Sequence, residues 1–98
     1  MVLVTIMGRL RDDPEAIQQI HDGVTGATKE MALQAGDISH RVYLDSQDRR
    51  GFLGIDEWKS AEAVEAFSAN PQIQEFFAQM FEGGPEVTIW EGTGWNEW

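Results

Sequence analysis

Gly51-Phe52-Leu53-Gly54-Ile55-Asp56-Glu57-Trp58-Lys59-Ser60, running straight into Ala61-Glu62-Ala63-Val64-Glu65-Ala66-Phe67, is the stretch that decides the fold. Residues 51–58 alternate as a strand does, Ser60 is a helix N-cap, and the Ala- and Glu-rich run after it favours helix. Strand, tryptophan, cap and helix therefore follow one another closely. Upstream, Ile38, His40, Val42 and Leu44 alternate with Ser39, Arg41 and Tyr43, and the polar run Asp45 to Arg50 joins them to Gly51 as a hairpin.

Further out, Val2 to Met7 is apolar on both alternating faces, as expected of a central strand. Asp12-Asp13-Pro14-Glu15 supplies a cap, a proline at the first helical position and a first-turn acid. Ile17, Ile20, Val24 and Met31 recur at helical spacing until Gly36, which predicts a helix from Pro14 to about Ala35. Gly23 and Gly26 inside it are read as permitting close packing or room for a ligand. Asn70-Pro71 restarts the second helix with a fresh cap and splits it, Gly83-Gly84-Pro85 closes it, and Glu86 to Glu91 is a last strand. The order βαββαβ is that of an α+β, ferredoxin-like fold with a four-stranded antiparallel sheet and its helices on one face. Ninety-eight residues suffice for one domain, 1–98, with one core.

Leu3, Met7, Tyr43, Trp58 and Trp90 are apolar groups left over for the other face or the rim of the sheet, and a second copy laid sheet against sheet would bury them. A homodimer is expected. The indoles of Trp95 and Trp98 either reach that partner or fold back on their own sheet. With no cysteine there is no disulfide, thiolate metal site or cysteine nucleophile. No apolar run approaches the ~20 residues that cross a bilayer, and no leader pattern opens the chain, which points to a cytoplasmic protein without membrane partners. The net charge of −10, with seven glutamates and neither Lys nor Arg after Lys59, would repel a phosphate backbone, so no nucleic-acid partner is expected.

The strand ending in Trp58-Lys59-Ser60 and the helix after it resemble the antibiotic-biosynthesis monooxygenase family, whose members build dimeric α/β barrels. In that family the strand ends Glu-x-Trp-x-Ser, the helix carries a His a few residues on, and a second His follows a Ser/Thr-Pro step. Here Glu57 adjoins Trp58, Phe67 stands at the first His and Gln72 follows Asn70-Pro71. The resemblance implies a pocket between sheet and helices and oxygenation of an electron-rich phenol or quinol without metal, flavin or haem. A comparison with the haem-degrading branch sets Gly8, Phe67 and Phe77 where that branch carries Asn, Trp and the haem-ligating His, so no haem chemistry of that kind is expected.

Such a reaction needs an apolar cavity, a base and shelter from water. His21, on the margin of the first helix's apolar stripe, is the first candidate for the base, and His40 the second. Tyr43, Trp58, Phe67, Asn70 and Phe77 are candidates for holding a flat aromatic substrate. The two histidines with Asp56 or Glu57 lack any diagnostic metal spacing, so no metal is expected. The rival readings are a noncatalytic ligand-binding or dimeric assembly module, its second helix packed solid with phenylalanine, and a structural dimer that docks a partner protein on its tryptophan tail.

Overall fold

The computed structural model describes Met1 to Trp98. Its elements are β1 (Val2–Arg9), α1 (Pro14–Ala35), β2 (Asp37–Leu44), β3 (Gly51–Trp58), α2 (Ala61–Ser68), α3 (Pro71–Met80) and β4 (Glu86–Trp90). The strands form one antiparallel sheet in the order β2-β3-β1-β4, the ferredoxin-like arrangement, with the doubly apolar β1 in its interior.

Local chemistry sets the helix ends. Ser60 Oγ accepts from the Ala63 amide, and Asn70 Oδ1 accepts from the Gln72 amide with Pro71 behind it, so α2 and α3 are separate helices. Gly36, at φ 125°, ends α1 where a side chain would be strained. Asp13 holds the N-cap position of α1 without capping through its side chain; Asp12 Oδ1 instead accepts from the Asp13 amide at 2.7 Å. Gly23 and Gly26 border open space, so they do not serve close packing.

Register assigns the two faces. Ile6 pairs with Gly54 and Val87, and Val4 pairs with Asp56 and Ile89, which puts these side chains together under the helices. Leu3, Met7, Tyr43 and Trp90 occupy the other face, each at least partly open to solvent, with Trp90 Nε1 donating to Thr5 Oγ1 at 2.8 Å. Trp58 is not one of them. It is 4% exposed, packed with Val4 and Val64 and against the Phe67 ring at 5.2 Å between centroids. Trp95 and Trp98 are exposed and do not fold back on the sheet.

Under the helices the core forms two clusters. One is Leu10, Ile17, Met80 and Phe81; the other is Val4, Trp58 and Val64. Gly8 belongs to the first, because a Cβ there would stand 2.6 Å from the fully buried Phe81 ring. β2 carries a bulge between Asp37 and Ser39. Asp37 pairs with Trp58 and His40 with Asp56, so the extra residue returns Asp37 and His40, three apart in sequence, to the same helix-side face.

Candidate active site

A chamber of about 380 Å³ opens between the two core clusters, under α1 and above the β1–β3–β2 side of the sheet. Val4, Ile6, Trp58, Val64 and Phe67 wall it on one side and Ile73, Phe76 and Phe77 on another. The phenylalanines of the second helical segment thus divide their work: Phe67, Phe76 and Phe77 line space, while Phe81 fills core. The second helical segment is therefore not packed solid.

The polar side of the chamber is built by α1, β2 and β3. His21 comes from the middle of α1, His40 from β2, and Asp56 from the neighbouring position on β3. The His21 and His40 rings stack with centroids 5.3 Å apart and meet Nε2 to Nε2 at 3.0 Å. His40 Nδ1 lies 2.6 Å from Asp56 Oδ1, and His21 Nδ1 lies 3.0 Å from Asp22 Oδ1. Thr25 Oγ1 stands 3.4 Å from His21 Nε2, and Asp37 adjoins Asp56 carboxyl to carboxyl.

These contacts constrain the protons, because the carboxylate partners select the tautomers. Each Nδ1 faces a carboxylate oxygen, which accepts and never donates when ionised, so each Nδ1 carries hydrogen. The Nε2–Nε2 contact needs one hydrogen more. That hydrogen bond exists only while one of the two Nε2 atoms is protonated, and the hydrogen bond to Asp56 holds the His40 pKa above its ordinary value despite burial. Burial beside Asp56 pushes the Asp37 carboxyl up to about 8. Asp37 Oδ1 is enclosed and makes no hydrogen bond, a costly state that a proton held by the carboxyl pair relieves. Hydrogen bonds from His21 and Gln18 keep the exposed Asp22 below the usual carboxylate range.

Of the residues singled out from sequence, His21, His40, Trp58, Phe67 and Phe77 meet at this chamber. Tyr43 does not; its position opposite Leu53 puts it on the helix-free face, and it borders a different cavity. Asn70 is a helix cap outside the lining. Asp37 and Asp22 carry no signal in the sequence, and Asp56 stands out there only as a conceivable metal ligand. No three His, Asp or Glu side chains are arranged to hold a metal ion.

Residues 3–79 match the family model described as antibiotic biosynthesis monooxygenase. No curated protein matches the chain. Among solved structures, Rv0793 from Mycobacterium tuberculosis is 17% identical with a TM-score of 0.70, over 98% of both chains. SnoaB, a cofactor-independent oxygenase from Streptomyces nogalater, is 12% identical with a TM-score of 0.71, over 93% of this chain and 91% of its own. A structure described as antibiotic biosynthesis monooxygenase is 16% identical with a TM-score of 0.67, over 95% of this chain and 99% of its own. At these identities the likeness establishes the fold.

Proposed function

The chain belongs to the antibiotic biosynthesis monooxygenase family, and on that premise we propose that it oxidises a flat phenol or quinol with dioxygen inside the chamber, using no metal, flavin or haem. The observation that carries this reading is the hydrogen-bonded His21–His40 pair at the polar side of an otherwise apolar chamber. Its volume is in the range of small-molecule sites, and Trp58, Phe67 and Phe77 offer faces and edges for an aromatic ring.

The chemistry follows from the proton count. When the pair has lost its third proton, two lone pairs face each other at 3.0 Å, and one ring turns its Nε2 to the substrate. The hydroxyl O–H bond breaks, the proton goes to Nε2, and the pair regains its hydrogen bond as the anion forms. Dioxygen accepts electrons from that anion; one oxygen atom enters the ring, the other leaves as water, and a phenol ends as a quinone by ArH(OH) + O2 → quinone + H2O. Apolar walls keep bulk water from the intermediate.

A homodimer belongs to the same proposal. Met7, Tyr43 and Trp90 are each about half exposed on the helix-free face, the kind of apolar surface that a second sheet would cover, and the free tryptophan tail could reach across it. Oxygen uptake with hydroquinone or anthrone, in chelator-treated buffer, tests the activity. Uptake that falls on His21→Ala or His40→Ala supports it. Saturable quenching of tryptophan fluorescence by the same compounds, without uptake, would leave a binding protein in its place.

A further inference from the structure

The histidine pair borders more than the chamber. A second cavity of about 310 Å³ lies between the first half of α1 and the end of β2, and His21 is the one residue that lines both. His40 and Asp56 face only the chamber; Asp22 faces only the second cavity. Hydrogen bonds join all four in a line, Asp56 to His40 at 2.6 Å, His40 to His21 at 3.0 Å and His21 to Asp22 at 3.0 Å. The line enters His21 at Nε2 and leaves at Nδ1, the two ends through which an imidazole passes a proton. Its inner end is enclosed, with the Asp56 side chain 9% exposed, and its outer end is open, with that of Asp22 63% exposed.

We propose that Asp22 is the outlet of a proton path through which the chamber exchanges protons with solvent by way of the second cavity while a substrate fills the chamber. The proposal rests on the oxygenase reading for its purpose: a hydroxyl proton must leave when the anion forms and a proton must return when water is made. Each passage forms a bond to one ring nitrogen and breaks one at the other, so the ring ends neutral, and Asp22 is protonated only in transit. Asp22 is a positioning residue, since it touches no substrate.

The groups facing the path are few. Asp37 adjoins its inner end and Lys29 borders the chamber. Gln18 donates to Asp22, and Glu15 and Arg49 edge the second cavity. Thr25 Oγ1 stands 3.4 Å from His21 Nε2 and Tyr43 also lines the second cavity, but neither they nor the others line both cavities as His21 does.

The Asp22→Asn variant keeps an acceptor for His21 Nδ1 but cannot carry a proton. In dilute buffer its kcat for oxygen uptake falls about tenfold with KM unchanged, imidazole at rising concentration restores it, and Asp22→Glu behaves as wild type. A loss that imidazole does not restore, or no loss at any buffer concentration, overturns the proposal. A second readout needs no turnover: exchange of the His21 Nδ1 proton with solvent, followed by nitrogen-15 NMR, slows about tenfold in Asp22→Asn. Slowed exchange in a protein that consumes no oxygen leaves the path standing and removes the oxygenase; unchanged exchange removes the path.

Discussion

Replacing Asp37 by Asn isolates the cost of the carboxyl pair. In the folded protein burial beside Asp56 raises the Asp37 pKa from 3.8 to about 8, whereas the unfolded chain releases that proton near the ordinary value. The folded state therefore binds more protons than the unfolded state across the interval, and stability must fall as pH rises from about 4 to about 8 and then level off. Each pH unit withdraws about 1.4 kcal/mol at the ceiling, so the whole interval would approach about 6 kcal/mol. Asp37 is only partly buried, and solvent screening brings the expected cost to about 2 kcal/mol. The replacement amide has no proton to lose, and it donates to Asp56 as the carboxyl hydrogen did.

Urea unfolding followed by far-UV circular dichroism, at one protein concentration and at pH 5 and 8.5, reads the effect. Both conditions lie above the isoelectric point of about 4.3. The advantage of Asp37→Asn over wild type should grow by about 1 to 1.5 kcal/mol between them, a midpoint shift of about 1 M for a chain of this size. His40 also makes the wild type less stable as pH rises, since the stability from its raised pKa is complete below about 6.5 and is lost through the higher folded value; the comparison of variants largely cancels that contribution. A difference between the Asp37→Asn variant and wild type that stays constant from pH 5 to 8.5 would refute the shared proton.

Three other outcomes follow from the same geometry. Oxidation by the unprotonated histidine pair predicts that kcat/KM rises with pH through the elevated His40 pKa, and Asp56→Asn, which removes the carboxylate that raises it, should move that rising limb to lower pH; a limb that stays in place tells against His40. Gly8→Ala drives a methyl into the Phe81 ring and should cost about 1 to 3 kcal/mol in denaturant melts, while a neutral result would mean that the ring is free to shift. Met7→Glu puts charge in the middle of the helix-free face and should convert a dimer into 11.0 kDa particles by light scattering, with the far-UV spectrum unchanged; a dimer that survives lies elsewhere on the surface.

The elements are legible in the sequence because their signals are local. Ser60, Asn70-Pro71 and Gly36 end or begin helices through their own side chains and backbone, and each element boundary they imply is present. The orientation of β3 is harder to read. Its inner face carries Phe52, Gly54, Asp56 and Trp58, and its outer face Leu53, Ile55 and Glu57, so each face mixes apolar and charged residues and alternation alone cannot say which is buried. For that reason sequence places Trp58 among the groups left over for the open face or rim, and Tyr43 at the pocket as well. His21 is legible from its place beside the apolar stripe, and family likeness points to Phe67 and Phe77. The partnership of His21 with His40 is not, because the contact joins residues 21 and 40 across two elements.

Asp37 shows where sequence reading reaches its end. In a regular strand it would lie on the opposite face from His40 and point away from the chamber; the bulge at the start of β2 reverses this. The same irregularity places a second carboxyl against Asp56, where like charges cannot both be held ionised at low cost. β2 is an edge strand, and extra residues in a ladder are tolerated best at an edge. An apolar residue at 37 is expected to stabilise the fold, as replacement of buried charge often does, yet it would leave the Asp56–His40 bond without a neighbour to share its proton. The stability lost at the bulge and the proton capacity gained at the chamber therefore have one cause, and a variant that improves the first should lower the second.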